Sequence, residues 1–546
     1  MATPSDELKQ SRSELISLFS AGEGSETFQE NCTEIVDHYF RRGVQESEAG
    51  QRLFRDKRPF ALVALGGYGR RDLCVHSDID VLILFDSKIP TPAGKLAQEV
   101  FYPLWNLGLD LGHAIRGIKD SLGLASDNPQ ALTSLMDARF ICGDSPLYLT
   151  LMERLEKKTL PKKRLPLSRW LEEQHQMRRA LFGDASCLLE PNLKEGIGGL
   201  RDYHHLQWLA KAFFSLRAPK DLEYSGLLSH KEYADLENHL RFIHLVRNHL
   251  HRESGRKNDR LTFDHQESLA LALGFKDQDG LLAVEQFLGQ VHASMASIKS
   301  LRHSFVFTHF PGSRKKGAGA AASENLKAPF HMDQGEIHFP SATTILSDPL
   351  LLLDIFVEGL KARRPLSLES KRLIREFLYL VDEPFRLSER AARGFLSILN
   401  APNAPEALDQ MLETGFLCAF IPEFEPIEDR VQFDNYHLFP VGRHLLQTVR
   451  HLKALHQERD ILLADIFLDL PDPEPSVSHR NSSATSDAAC HRASGSFARH
   501  LRTSRSSPGG VTGCTDDRDG GSRSRIAATI PAWLSASKAR LPASIS

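Results

Sequence analysis

Apolar positions along the chain follow helical spacing in most regions and form short continuous runs in a few places. Residues 5–45 carry apolar side chains at helical intervals, which predicts amphipathic helices. Phe60–Leu65 is an unbroken apolar run that ends in two glycines, and Asp78–Phe85 is a second run rich in branched residues. Runs of this kind, bounded by turn residues, predict buried strands. A helix over 93–107 and a further strand over 109–118 complete a small α/β pattern.

Downstream of this pattern the spacing becomes almost entirely helical. It stays helical from about residue 120 to 305, interrupted by a glycine-rich break at Lys194–Gly199. A second helical region extends from about 345 to 468, after a segment at 311–328 whose Gly, Ser, Lys and Ala content is typical of a linker. The clearest predicted helices span 170–181, 203–214, 230–252 and 281–309.

The predicted fold class is therefore α/β followed by all-α domains. After residue 468 the chain is rich in Ser, Arg, Ala and Gly, and it cannot bury enough apolar surface to offset chain entropy, so we expect a disordered tail. The expected segments are N-terminal helices at 1–45, an α/β domain at 46–150, a helical domain at 151–310, a linker at 311–328, a second helical domain at 329–468 and the tail at 469–546.

Bulk composition excludes some classes of protein. The 546 residues carry a net charge of -3, which gives no reason to expect nucleic-acid binding, since that usually leaves a basic excess. No run of about 18 apolar residues occurs, so we predict no membrane span. The seven cysteines are dispersed and form no Cys-x-x-Cys pair, which fits a reducing cytoplasm better than a disulfide scaffold.

A glycine-rich turn follows the first predicted strand. It reads Gly66-Gly67-Tyr68-Gly69-Arg70, and Ser77 stands shortly after it. Glycines in such a turn let the backbone approach a phosphate closely, and amides near a helix start can donate to phosphate oxygens. Arg70 can add a charge-assisted contact and Ser77 a hydroxyl contact. The turn therefore predicts a phosphate site.

Two carboxylates stand at the head of the second predicted strand. Asp78 and Asp80 are two residues apart, so strand alternation places both on one face. Such a pair can hold hard divalent cations, Mg²⁺ above all, which activate an attacking oxygen and neutralise a leaving pyrophosphate. The alternative is an ordinary hairpin with surface aspartates. The glycine turn just before the aspartates, at the head of an apolar strand, favours a catalytic site over this alternative.

These motifs resemble a known superfamily. Gly66–Arg70 followed by Ser77–Leu82 resembles the DNA-polymerase-β-type nucleotidyltransferases. Three further segments, Leu188–Asp202, Asn258–Phe263 and Gln432–His437, are similar to those of bacterial uridylyltransferase/uridylyl-removing enzymes acting on PII proteins. The resemblance covers about residues 50–468. It leaves open whether the first of these segments faces the nucleotide or holds two subdomains together.

The resemblance implies a specific chemistry for the α/β domain. Asp78 and Asp80 would bind Mg²⁺, while the triphosphate of UTP would be held by Gly66, Gly67, Arg70 and Ser77. The acceptor would be a tyrosine hydroxyl on a PII-type nitrogen signal protein. The superfamily usually supplies a third carboxylate from a later strand. Asp110 is a candidate and His113 lies in the neighbourhood, but the third ligand is not assigned.

The resemblance also implies a second, hydrolytic site of the His-Asp metal type. Its first ligand would be His444, but no histidine precedes Asp469 where the next ligands are needed. We therefore expect the uridylyl-removing activity to be lost and the two ACT domains of the family to be missing. The tail composition resembles translation in a shifted frame. The other helix-borne histidines, at 204, 205, 244, 249 and 251, are interpreted as surface or core residues.

Two further functional hypotheses remain open from the sequence. One is a nucleotidyltransferase with another donor, such as ATP, or another acceptor, because no base-reading pocket is evident. The other is a truncated or non-catalytic binding module that holds the signal protein without modifying it.

Overall fold

The structure is a computed structural model. The described residues up to 310 belong to one compact unit and those from 329 onward to a second. The motif at 432–437, the linker at 311–328, the end of the second helical region at 455–468 and the tail expected at 469–546 lie outside the described residues. The structure describes residues 3–20, 24, 27–278, 281–310, 329–333, 335–428, 430 and 440–454.

A four-stranded mixed sheet lies at the centre of the first unit. The strands are β1 (Phe60–Leu65), β2 (Ile79–Phe85), β3 (Leu111–Gly117) and β4 (Arg139–Gly143), in the order β3-β2-β1-β4. Strand β1 pairs antiparallel with β2 and β4, and β2 pairs parallel with β3. The strands predicted from the apolar runs are confirmed, whereas β4 was not predicted.

Helices precede the sheet and connect its strands. The N-terminal helices predicted within 5–45 and the helix predicted at 93–107 are confirmed. The helices are α1 (Pro4–Ser20), α2 (Phe28–Glu46), α3 (Glu48–Arg55), α4 (Gly66–Gly69), α5 (Pro92–Asn106), α6 (Ile118–Asp127), α7 (Pro129–Met136) and α8 (Ser145–Arg154).

Alternating side chains of β1 and β2 enter two different cores, one on each face of the sheet. Leu62 and Ile83 join the core formed with α1, α2, α3 and α5. Val63 and Leu82 join the larger core built by the helices that follow the sheet. Because both faces are covered, β1 and most of β2 read as continuous apolar runs rather than as alternating patterns.

The rest of the first unit is helical, as predicted. Helix α12 begins at a capping box in which Ser229 and Glu232 satisfy each other's backbone amides. A π-helical turn at Leu155–Thr159 joins α8 to the next helix. The helices are α9 (Leu160–Phe182), α10 (Leu200–Phe214), α11 (Asp221–Tyr224), α12 (His230–Ser254), α13 (Phe263–Ala272) and α14 (Ala283–His309).

The second unit is a helical domain with one small hairpin, β5 (His331–Asp333) and β6 (Glu336–His338). Its core contains aromatic and aliphatic side chains, and the ring of Phe416 contacts those of both Phe356 and Phe420. The helices are α15 (Ala342–Ser347), α16 (Leu351–Ala362), α17 (Leu368–Glu376), α18 (Glu383–Leu387), α19 (Glu389–Asn400), α20 (Ala404–Glu413), α21 (Phe416–Phe420) and α22 (Val441–Ala454), with 3-10 turns at Leu378–Leu380 and Pro422–Ile427.

A mixed sheet followed by helical domains confirms the fold class predicted from the sequence. In the part of the chain that the structure describes, no helix has both the length and the apolar character needed to cross a bilayer.

Candidate active site

The buried side chain of Tyr68 holds the glycine turn α4 in place. This side chain is fully buried, and its hydroxyl donates to Asp37 on α2 over 2.6 Å. Asp37 also accepts from Arg139 on β4 over 2.6 Å. At Gly69 an added Cβ would lie 2.0 Å from the Asp137 carbonyl oxygen, so the close approach requires glycine. The turn is therefore held rigidly at the end of β1.

Arg70 is engaged inside the protein. Its guanidinium donates to Asp72 over 2.7 Å and to Asp137 over 2.6 Å. Burial disfavours the charge, but the two carboxylates outweigh it and hold the pKa of Arg70 above its ordinary value. Asp137 accepts two more bonds from α10, from Trp208 over 2.8 Å and from Lys211 over 2.7 Å. Arg70 thus ties the turn to α10, and its direct contact with a triphosphate stays a prediction.

Asp80 projects from β2 into a space left by two glycines. An added Cβ at Gly112 on β3 would lie 2.2 Å from Oδ1 of Asp80, and one at Gly66 would lie 3.5 Å from Oδ2. Burial raises the pKa of Asp80, and the charge of Asp78 raises it further. The two carboxylates predicted from the sequence are thus close enough to interact, beside the glycine turn.

Asp78 stands one residue before β2 rather than within it. Its Oδ2 accepts from Nζ of Lys257 over 2.5 Å, and its side chain is 44% exposed. Just upstream, the Ser77 hydroxyl accepts from the Cys74 amide over 2.9 Å. A hydroxyl that accepts one bond still has an O–H to donate, so this contact is compatible with the predicted phosphate contact of Ser77, which stays a prediction.

Helix α12 holds the loop that leads to the aspartates. The Val75 amide donates to Asn248 over 3.2 Å and the His76 amide donates to His251 over 3.2 Å. One turn earlier, Arg247 donates to the Cys74 sulfur over 2.9 Å. These contacts between α12 and the loop at 74–76 were not predicted. Helical spacing in α12 does not show which of its buried polar side chains contact a loop far away in the sequence.

The two downstream segments that carry the family resemblance pair with each other. The Leu193 amide donates to the Asp259 carbonyl over 2.8 Å, and the Leu261 amide donates to the Pro191 carbonyl over 3.0 Å. Lys194 lies in the first segment and Lys257 stands directly before the second, and the charges of both lysines oppose the rise in the pKa of Asp80. The segment at 188–202 thus lies close to Asp80.

The same segment also fastens helices together. Asp202, fully buried, accepts from Arg178 on α9 over 2.5 Å, and its other oxygen accepts from the Gly198 amide over 2.7 Å. Arg302 on α14 lies 3.8 Å from the same carboxylate. This element therefore fastens helices of the helical domain and lies near Asp80, while its contact with a nucleotide stays a prediction.

The candidates for a third metal ligand fare differently. Asp110 is exposed and stands just before β3, where its carbonyl accepts from the Ile79 amide over 2.9 Å. His113 packs its ring on Phe101 and Trp105, on the face of the sheet opposite Asp80, so a place for it near the carboxylates was wrong. Within the described ranges, no three His, Cys, Asp or Glu side chains are grouped to hold a metal.

The carboxylate pair nevertheless fits one class of metal site. Mg²⁺ is commonly bound through one or two carboxylates, with substrate phosphates and waters supplying the remaining oxygens. Asp78 and Asp80 provide the two carboxylates, and the space that Gly66 and Gly112 leave around Asp80 would be closed by side chains. The donor set therefore fits a cation that arrives with a triphosphate.

The histidines interpreted as surface or core residues belong to the packed interior of the first unit. Burial holds the pKa values of His204 and His205 well below their ordinary value, and it lowers that of His244 to about 4. In the second unit His444 is exposed on α22. Asp469 and the tail histidines lie outside the described residues, so the loss of the hydrolytic site stays a prediction.

Comparison with known proteins places this geometry in a family. Three family models match the chain in succession: the nucleotidyltransferase model DUF294 at 9–111, the GlnD PII-uridylyltransferase model at 168–306, and the GlnD uridylyltransferase third domain at 330–420. The chain therefore contains domains that match those of GlnD uridylyltransferases. The nucleotidyltransferase match contains the glycine turn and both aspartates, and the GlnD PII-uridylyltransferase match contains Lys194 and Lys257.

The curated relatives of this chain share one description, bifunctional uridylyltransferase/uridylyl-removing enzyme. The Ruegeria pomeroyi protein is 32% identical over 403 residues, which cover 73% of this chain and 44% of the relative. The Cereibacter sphaeroides protein is 34% identical over 73% of this chain and 43% of its own length. The Pseudomonas aeruginosa protein is 30% identical over 86% and 52%. The chain thus spans about half the length of these relatives.

Proposed function

We propose that the chain transfers UMP from UTP to a tyrosine hydroxyl of a PII-type nitrogen regulatory protein, with Mg²⁺ held by Asp78 and Asp80. The observation that carries this proposal is the pair of interacting carboxylates beside a glycine turn at the end of β1. The family description and the uridylyltransferase activity in the names of the relatives support the choice of donor and acceptor.

The residues of the site have complementary tasks in this reaction. The acceptor oxygen attacks the α-phosphorus, the bond to pyrophosphate breaks, and the acceptor proton leaves for water. Bound Mg²⁺ would neutralise charge on the triphosphate and on the departing pyrophosphate. The Gly66 and Gly67 backbone and the Ser77 hydroxyl orient phosphate oxygens. The protein contributes mainly positioning and charge, as in other phosphoryl-group transfers.

The test is a mass-shift assay with UTP, Mg²⁺ and a PII-type protein. We expect the wild type to add a uridylyl group to the acceptor, and Asp80→Asn, which keeps the shape and removes the charge, to add none. Asp127→Asn is the matched control, because this aspartate is exposed at the end of α6 and belongs to no proposed site. Full labelling by Asp80→Asn would refute the proposed site.

The same assay separates the rival functions. Competition among UTP, ATP, CTP and GTP identifies the donor, and preference for ATP would replace the uridylyl assignment with another nucleotidyl transfer. Binding of the PII-type protein by the wild type with no labelling by any of the four nucleotides would instead support a non-catalytic binding module.

A further inference from the structure

Lys194 lies among three other cationic side chains, and each of those three has an acidic partner. Arg247 is paired with Asp259 over 2.6 Å. Arg201 is paired with Glu195 over 2.7 Å, and Lys257 with Asp78 over 2.5 Å. The fourth is Lys194. Among the residues that the structure describes, its ammonium has no hydrogen bond or ion pair.

The backbone of Lys194 is held firmly in place. Its amide donates to the Asn192 side chain over 3.1 Å, and its carbonyl accepts from the Arg201 amide over 2.9 Å. An added Cβ at Gly199 would lie 2.9 Å from that carbonyl oxygen, so the chain is closely packed there. The ammonium is thus presented from a fixed point, near enough to Asp80 to lower the pKa of that carboxylate.

The surroundings of Lys194 disfavour its charge. Burial, followed by the positive charge of Arg247, lowers the pKa of Lys194 to about 8. Of the remaining charges that act on it, Asp259 is negative but already engaged, while Arg201 and Lys257 are positive. A half-buried charge without a partner is costly unless an anion is brought to it. This excess of positive charge is suited to an anionic ligand beside the carboxylate pair.

We propose that Lys194 binds the outer phosphates of the nucleoside triphosphate whose metal ion is held by Asp78 and Asp80. The inference rests on the proposed nucleotidyl transfer and adds a residue of the helical domain to that site. A lysine ammonium is a compact cationic donor suited to phosphate oxygens. Lys194 would thereby add a cationic contact to the one predicted for Arg70, whose guanidinium is paired with Asp72 and Asp137.

A monophosphate lacks the groups that Lys194 is proposed to contact, and this gives a selective test. Binding of a UTP analogue with a non-hydrolysable α–β bridge, and of UMP, is measured by calorimetry on the full chain with Mg²⁺. We expect Lys194→Met to weaken binding of the analogue by about 10- to 100-fold, the loss of a hydrogen bond to a charged group. UMP binding should be unchanged, and Lys194→Arg should retain most of the affinity for the analogue.

Lys276→Met is the matched control, since it removes one positive charge from an exposed position. Thermal melts of all variants show whether each is folded. Wild-type affinity of Lys194→Met for the analogue would overturn the inference and leave the proposed function standing. An equal loss of analogue and UMP binding with a lowered melting temperature would assign Lys194 a structural role instead. A wild type that binds no triphosphate would overturn both proposals.

Discussion

Replacing Gly112 by alanine should move the carboxylate of Asp80 without removing it. Gly112 lies on β3 directly opposite Asp80 on β2. Its backbone is not in the left-handed region, so alanine is acceptable to the strand itself. The substitution therefore probes the position of the carboxylate separately from its charge.

The size of the effect follows from the contact. The new Cβ would lie 2.2 Å from Oδ1 and 3.4 Å from Cγ of Asp80, whereas Cβ contacts under 3.0 Å essentially do not occur. The carboxylate must withdraw by about 1 Å, and a misplacement of that size in a catalytic site costs about a hundredfold in rate. The stability of the fold should change little, because only the short side chain of Asp80 has to move, and Gly66 leaves space beside it.

The assay is the initial rate of uridylyl transfer as a function of Mg²⁺ concentration. Gly112→Ala should lose about a hundredfold in rate and need more Mg²⁺. Gly123→Ala is the control, because this glycine is exposed on α6 and an added Cβ meets nothing within 4 Å. A wild-type rate and Mg²⁺ requirement in Gly112→Ala would refute the idea that the placement of Asp80 governs the reaction.

Two other predictions concern the buried charges around the site. Asp137→Asn leaves Arg70, Trp208 and Lys211 without their charged acceptor. It should lower the free energy of unfolding by about 3–5 kcal/mol, the cost of breaking a buried pair. Urea denaturation measures this free energy, and a loss under about 1 kcal/mol would contradict the prediction. Because the pKa of Lys194 is lowered to about 8, its ammonium is charged below that pH and loses its proton above it. Affinity for Mg²⁺ and UTP should therefore fall as pH rises through 8 in the wild type but not in Lys194→Arg, and identical pH profiles would disprove a role for this charge.

The elements around the site were predictable where one sequence pattern determines them. Burial on both faces makes Phe60–Leu65 a continuous apolar run, and the glycines that follow it mark its end. The glycine turn and the aspartate pair are each uninformative alone, but together and in this order they indicate a nucleotidyltransferase site. Strand β4 escaped prediction because Arg139–Gly143 is short and mixes a charged residue with apolar ones. Asp78 falls one residue outside β2, within the usual uncertainty of element boundaries.

Contacts between distant parts of the chain could not be predicted in this way. The sequence does not show that Arg70 pairs with Asp137, because the two residues are 67 positions apart. Lys257 reaches Asp78 across 179 residues. His113 stands three residues from Asp110, yet its ring packs on α5, on the face of the sheet opposite Asp80. Only the packing of the helical domain against the sheet determines which charges meet.

The most direct measurement on the carboxylate pair is a Mn²⁺ titration followed by electron paramagnetic resonance, with a non-hydrolysable UTP analogue present. Mn²⁺ prefers the same oxygen ligands as Mg²⁺ and is spectroscopically visible. We predict that the wild type binds Mn²⁺ tightly with the analogue and that the double variant Asp78→Asn, Asp80→Asn, folded by thermal melt, does not. Undiminished Mn²⁺ binding by the folded double variant would contradict the assignment of these two aspartates as the metal ligands.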